Sequence, residues 1–359
     1  MLKEAIGRDL TRFAVPVYFN EPISMLQKLA ETLEYEHLLQ TASKEPESLK
    51  RIAYVAAFSV AQFASMPPRR HKPFNPILGE TYELRMNNWR FFSEQVCHHP
   101  PISACFADSP FYEFRTHTAV RTRFWGKSME FHPLGGSHCK LKDTAAGDEE
   151  YIFSRPVTSA NNIIVGTLYL DLHGQTIIKN LTSGEVVELE FVRRGWLGKN
   201  AYVMRGEVKD KDGVPRYRVN GLWNEQISIT NIESGEETVL WRANTFPKDF
   251  EWYYMFTEFG MNLNHLNERM RAQLPPTDSR FRPDQRALEN GDQTTAANEK
   301  LRLEDKQRKA RKKLEEQGLI YRPLFFTENV NEHTGEQEFL FNHKYKFCAQ
   351  DWSGMPDIF

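Results

Sequence analysis

Glu185-Val186-Val187-Glu188-Leu189-Glu190-Phe191 is the stretch that decides the class of fold. Val187, Leu189 and Phe191 alternate with Glu188 and Glu190, the two-residue period of a half-buried strand. Leu168–Leu172 alternates similarly. Outward from these, over about 79–243, short runs rich in aromatic and β-branched residues recur between turn signals: Asn87-Asn88, Gly135-Gly136, Ser183-Gly184, Asp212-Gly213 and Ser234-Gly235. Many strands in succession with hairpin-like connections predict a mainly β fold with added helices. That means an antiparallel barrel or sandwich, not a doubly wound sheet. A barrel with this many strands must enclose a cavity or be plugged.

Helical patterns flank the β region. Residues 1–20 carry a short, weak helical signal in Leu10, Phe13 and Val15. Asn20 reads as a helix N-cap with Pro22 in the first turn, and Leu26, Leu29, Leu33 and Leu38 extend that helix over about 21–41. A second helix over about 46–65 is apolar nearly all round, including Ile52, Val55, Phe58, Val60 and Phe63, so it should be central and is the candidate plug. Met66-Pro67-Pro68 stops it. Beyond Trp241 the pattern predicts a helix over Tyr253–Arg271 ended by Pro275-Pro276, a polar, turn-rich stretch over 277–295, and a charged helix over 296–317 closing at Gly318. The last 40 residues mix aromatic clusters with a turn at Thr334-Gly335.

Composition narrows the class further. The chain has 359 residues, 40% hydrophobic with 25 Phe, enough to bury a sizeable core. A formal net charge of −2 argues against a nucleic-acid binder held by global electrostatics. Cys97, Cys105, Cys139 and Cys348 show no paired spacing, so neither a disulfide framework nor a zinc ribbon is expected. No run of 18 apolar residues exists, and Met1-Leu2-Lys3-Glu4 lacks an apolar signal core, so the expectation is a cytosolic protein. The one sequon, Asn180-Leu181-Thr182, reads as chance.

Three constellations can carry chemistry. In Glu94-Gln95-Val96-Cys97-His98-His99-Pro100-Pro101, the prolines fix their own φ and restrict the residues before them. His98 and His99 therefore present hydrogen-bonding rings on a stiff segment, which suits anion recognition. Alone, a His-His pair is more commonly a surface or structural feature. In Lys72-Pro73-Phe74-Asn75-Pro76-Ile77-Leu78-Gly79-Glu80, a rigid loop can offer the Lys72 ammonium and the Asn75 carboxamide to one anion; the bland alternative is a turn with a solvated lysine. Lys300, Glu304 and Arg308 lie at i, i+4, i+8 on one helix face, where Glu304 can pair with either base. By itself that stripe reads as a solvated, ion-paired face.

The octapeptide closely resembles the Glu-Gln-Val-Ser-His-His-Pro-Pro fingerprint of oxysterol-binding-protein-related lipid-transfer domains, with Cys97, a weaker hydrogen-bonding group, in place of the serine. Residues 72–80 resemble the family's Lys-Pro-Phe-Asn-Pro-x-Leu-Gly-Glu motif, and Thr277–Asp284 resembles the stretch preceding the family's charged helix. The resemblance runs from Gly7-Arg8-Asp9-Leu10-Thr11 to near the C-terminus, and its texture is closest to the long fungal and animal members.

The resemblance implies one lipid-binding domain over 1–359. Within it would lie a lid over 1–20 (including Leu10, Thr11 and Phe13), helices over 21–66, an incompletely closed β-barrel around a lipid tunnel over 67–245, and a C-terminal helical region over 246–359. It implies that Lys72, Asn75, His98, His99, Lys300, Glu304 and Arg308 hold the headgroup of phosphatidylinositol 4-phosphate. It also implies no enzymatic activity, no cofactor, no metal, and membrane lipids as partners, with sterol or phosphatidylserine as the second ligand. The long members carry a pleckstrin-homology domain and an endoplasmic-reticulum receptor motif; neither is recognisable here, so the chain reads as an excised ligand-binding domain. The location implied is cytoplasmic, at contacts of the endoplasmic reticulum with the plasma membrane or the Golgi.

Other classes fare worse. A metal site at Cys97, His98, His99 and Cys105 would need adjacent residues on a stiff strand to converge, and no His-x₃-His spacing occurs. A Cys97–His98 nucleophile pair fails because strand neighbours point to opposite faces. Gly126-Lys127-Ser128 ends like a phosphate loop, but position 121 is arginine, not glycine. The serious rival is a lipid sensor that binds the phosphoinositide without net transfer.

Overall fold

The computed structural model describes residues 16–349 and 351–359. Val17–Phe19 forms a 3₁₀ turn that buries Val17 against Phe74, Leu288 and Ala296. Asn20 does not cap a helix. It opens a strand, β1 (Asn20–Ser24), and its amide donates to the carbonyls of Lys72 and Pro73, both at 3.3 Å. The helix starts later, because Ser24 and Gln27 form a reciprocal capping box: Gln27 Oε1 accepts from the Ser24 N–H at 2.8 Å. Pro22 is tolerated because β1 belongs to a two-stranded sheet. The expected 21–41 helix is therefore this strand followed by α1 (Met25–Ala30) and α2 (His37–Lys44), separated by the 3₁₀ turn Glu31–Leu33 and the turn after it.

α3 (Ser48–Ala61) is the expected apolar helix. Ile52, Val55, Ala56, Phe58 and Val60 are buried in one core with the sheet wall. Phe58 meets Phe114 edge-on at 5.4 Å and Phe153 at 6.4 Å. Each such side chain contributes roughly 1.5–3 kcal/mol on burial. Arg51 is the charged exception, and its charge is met by the buried carboxylate of Glu149.

β2 (Lys72–Phe74) pairs in parallel with β1. The large sheet is then built from β3 (Thr81–Arg85), β4 (Arg90–His98), β5 (Pro101–Asp108), β6 (Tyr112–His117), β7 (Val120–Phe124), β8 (Ser128–Pro133), β9 (Ser137–Thr144) and β10 (Gly147–Phe153). It continues through β11 (Val157–Asn161), β12 (Tyr169–Asn180), β13 (Val186–Phe191), β14 (Val203–Lys209), β15 (Pro215–Leu222), β16 (Gln226–Asn231) and β17 (Glu237–Arg242). The hydrogen-bonded order is β17-β16-β15-β14-β13-β12-β10-β9-β6-β5-β4-β3, with β7, β8 and β11 forming a side sheet on β12. β3 and β17 are edges that do not pair with each other, so the barrel is not closed by hydrogen bonds. α3 packs inside the wall against β12, β13, β14 and β17, as a plug must. On β13, Val187, Leu189 and Phe191 face the core while Glu188 and Glu190 face water.

The C-terminal region departs from the sequence reading in two places. The 253–271 segment is not one helix but a 3₁₀ turn (Phe250–Tyr253), α4 (Glu258–Asn262) and α5 (Glu268–Gln273). Tyr254 and Met255 take left-handed φ of 55° and 60°, and the Asn267 side chain caps α5. The polar, turn-rich 277–295 stretch is partly helical and its first part is buried. It holds α6 (Pro283–Glu289), and Thr277, Asp278, Ser279, Arg280, Arg282 and Asp284 are all buried. Their charges are paired: Arg280 with Asp278 at 2.8 Å, Arg282 with Glu80 at 2.9 Å and with Asp284 at 2.8 Å. Thr81 N–H donates to Thr277 C=O at 2.9 Å, which also covers the β3 edge.

α7 (Gln293–Glu316) is the charged helix, capped by Asp292. A hairpin, β18 (Phe326–Val330) and β19 (Gln337–Phe341), follows it. With Tyr345 it covers the outer face of β4 and β5, burying Phe92, Val96, Ile102 and Phe106. Glu94 on that face accepts from the N–H groups of Leu324 and Phe325 at 2.8 and 2.9 Å, and burial lifts its carboxyl to about 7.

Candidate functional site

A cavity of about 290 Å³ opens between the β2–β3 loop, the β4–β5 turn and α7. Lys72, Asn75, His98, His99, Lys300, Glu304 and Arg308 all line it. Three segments more than 200 residues apart at the extremes thus converge on one place. Among the described residues, the cations on its lining are Lys72, Arg282, Lys300, Arg308 and Arg311, and the only lining carboxylate is Glu304. Such a surface is complementary to a dianionic phosphate.

Each position has a local cause. β1–β2 pairing fixes the Lys72 backbone through Asn20. Burial, and after it the charge of Lys300, pushes the Lys72 ammonium below its ordinary range, while Glu304 pulls the other way. Asn75 is held by its carbonyl, which accepts from Arg282 at 2.9 Å; the same guanidinium is locked by Glu80 and Asp284. The β4–β5 turn has a cis His99–Pro100 bond and brings the two imidazoles to 4.5 Å between ring centres. Burial lowers His98 to about 4, helped by His99 and Arg311, so the ring is neutral at physiological pH. Lys300 pairs with Glu304 at 2.9 Å. Arg308 pairs with Asp305 one turn back rather than with Glu304, and stays largely exposed at the rim.

Gln307 and Arg311 are among the lining residues that the sequence reading did not assign to the site. Gln307 accepts from Leu78 N–H at 2.7 Å, and its amide lies 2.6 Å from His98 Nε2. A side-chain amide donating to Nε2 leaves the proton on Nδ1, which is buried without a hydrogen-bond partner. Arg311 extends the cationic stripe toward His98. The signal was available: positions 300, 304, 307, 308 and 311 form one continuous i+3/i+4 face. Leu10, Thr11 and Phe13 lie outside the described residues.

Among the described residues no three metal-ligating side chains cluster, and no helix is long and apolar enough to cross a membrane. A plugged, unclosed barrel with an apolar interior and a cationic mouth defines a lipid-binding protein. The oxysterol-binding protein family model matches residues 1–349. The chain is 42% identical over 336 residues to oxysterol-binding protein-related protein 3 of Mus musculus, covering 92% of this chain and 39% of that one. It is 38% identical over 386 residues to oxysterol-binding protein homolog 2 of Saccharomyces cerevisiae, covering 100% of this chain and 30% of that one. The solved Osh1 ORD domain in complex with cholesterol superposes with a TM-score of 0.90 at 35% identity, over 100% of this chain and 89% of that one. The Osh3 ORD in complex with PI(4)P from Saccharomyces cerevisiae superposes with a TM-score of 0.83 at 30% identity, over 100% and 94%. The chain belongs to the oxysterol-binding protein family, whose members bind lipids and are not enzymes. It spans well under half the length of these two curated relatives.

Proposed function

We propose that this chain binds phosphatidylinositol 4-phosphate and carries it between membranes, exchanging it for a second lipid, a sterol or phosphatidylserine. The observation that carries the reading is the convergence of the seven residues on one cavity with five cations against one carboxylate. Lys72, His98, His99 and Arg308 would bind the 4-phosphate. Asn75 would join Lys72 on that phosphate, and the Lys300–Glu304 pair would hold the inositol hydroxyls. The acyl chains would lie in the apolar interior around α3, where burial at roughly 25 cal/mol per Å² matches the bilayer the lipid has left. Specificity then rests on the headgroup, at about 1.5–3 kcal/mol per charge-assisted bond. The solved PI(4)P complex of Osh3 and the cholesterol and ergosterol complexes of Osh1 support lipids of these two classes.

The whole of 1–359 would act as one unit, with residues 1–20, including Leu10, Thr11 and Phe13, as its cover. Within that range Val17 and the start of β1 are packed into the fold. Placement at contacts of the endoplasmic reticulum with the plasma membrane or Golgi, and any receptor there, would depend on a longer parent protein. Transfer of phosphatidylinositol 4-phosphate between donor and acceptor liposomes is the test. Saturable binding without transfer would instead make the domain a sensor.

A further inference from the structure

The β13–β14 connection carries Trp196 and Leu197, 88% and 94% exposed. These are the most exposed large apolar residues among those described. The loop that carries them is built, not slack. Gly195 N–H donates to Lys199 C=O at 2.7 Å, and Leu197 is held at a left-handed φ of 55°. Its base is anchored: Arg193 pairs with Glu130 at 2.8 Å, Arg194 N–H donates to Asp171 at 3.0 Å, and the Arg194 guanidinium lies over the Tyr169 ring at 4.7 Å.

Two other exposed apolar tips adjoin this loop. Trp125, half exposed in the β7–β8 turn, donates through Nε1 to Glu130, the same carboxylate that holds Arg193. That turn accepts at Lys127 C=O from Ile163 N–H at 3.2 Å, which places the β11–β12 tip, with Ile164 and Val165 exposed, beside it. Lys127 and Lys199 are exposed at the edge of the patch, and the nearby acids Glu130 and Asp171 are taken up by Arg193 and the Arg194 backbone. The result is an apolar surface with a cationic border.

Topology sets where it points. Every pairing along β4-β5-β6-β9-β10-β12-β13-β14 is antiparallel, so alternate connections fall at the same end of the sheet. Counting along that path, the β13–β14 loop lies at the same end as the β4–β5 turn that bears His98 and His99.

We propose that this patch docks on an anionic phospholipid bilayer, with Trp196 and Leu197 entering the interface and the lysines at its edge meeting the headgroups. Apolar residues held out at a loop tip favour an interface over water, and aromatic rings favour the headgroup level. Cations near the surface add attraction to anionic lipid that salt screens. The patch is separate from the headgroup cavity. The proposal leans on the lipid-carrier reading only in that docking there would turn the mouth end toward the membrane.

The test is sedimentation of the full chain with vesicles of phosphatidylcholine alone and of phosphatidylcholine mixed with phosphatidylserine, both free of phosphoinositide. Trp196→Ala with Leu197→Ala should lower binding to the mixed vesicles by about tenfold or more. The melting temperature and the binding of soluble short-chain phosphatidylinositol 4-phosphate should stay unchanged. Lys127→Glu with Lys199→Glu should weaken binding to mixed vesicles, remove much of its salt dependence, and leave the weak binding to neutral vesicles as it was. If the Trp196/Leu197 variant sediments like the wild type, the surface does not dock on lipid and the proposal falls. Lys72→Ala separates the two readings: it should keep vesicle binding even if the headgroup assignment is right, and its failure to sediment would place docking at the mouth instead.

Discussion

Lys72→Ala should weaken binding of phosphatidylinositol 4-phosphate without destabilising the lipid-free protein. In the empty cavity the Lys72 ammonium is a liability: burial and the nearby Lys300 charge both disfavour it, and only Glu304 favours it. Because its folded pKa lies below the ordinary value, the cost of the charge is present at all pH values below that folded pKa. It disappears as pH rises through it toward the unfolded value. Removing the side chain should leave the melting temperature of the lipid-free protein the same or higher, with the difference shrinking at high pH. With phosphate bound the balance reverses, and one charge-assisted contact of about 1.5–3 kcal/mol is lost. That corresponds to roughly 10- to 150-fold in affinity. Lys72→Met, which keeps the aliphatic stem, should behave the same way and shows that the charge is what matters. The assays are extraction from liposomes and thermal unfolding of lipid-free protein. Unchanged affinity with the fold intact would remove Lys72 from the site, and a matching fall in melting temperature would make it a structural residue.

Other expectations follow from the same geometry. His98 sits near 4 when the cavity is empty, and a bound phosphate dianion would lift it, so binding near pH 6.5 should take up a proton, seen as buffer-dependent heat in titration calorimetry. His98→Gln should abolish that uptake; uptake of equal size in the variant would assign the proton elsewhere. In the lipid-free protein the same lowered pKa makes His98 a stabilising contributor above pH 6.5 that is lost as pH falls toward about 4. Arg282→Met strands Glu80 and Asp284 as buried carboxylates and should cost about 3–5 kcal/mol in urea unfolding. A loss below 1 kcal/mol would show that water reaches the cluster. Deleting residues 1–15 spares Val17 and β1 and should leave a folded protein that transfers lipid slowly; equal transfer rates would refute the cover.

Much of this protein is legible in one dimension because strand and helix periods are local properties. The alternation in Glu185–Phe191 depends only on neighbours along the chain, and it set the two faces of β13 correctly. The apolar circumference of Ser48–Ala61 required burial on all sides, and the barrel interior is the place that provides it. The motifs at 72–80, 94–101 and 300–308 were each visible as chemistry, and the i, i+4 pairing of Lys300 with Glu304 is as expected.

Decisions that rest on distant partners were not legible. Whether Asn20 caps a helix or opens a strand turned on Lys72 and Pro73, more than fifty residues away, and on the capping box at Ser24. The polar run Thr277–Asp284 looks like surface until Glu80 and the β3 edge supply its partners, since a buried charge is tolerable only when paired. The clasp of Gln307 on His98 and the absence of a β3–β17 pairing also lie beyond any local pattern. A sequence carries the free-energy preferences of its segments, but which charges meet and which edges stay open depends on where the folded chain brings them.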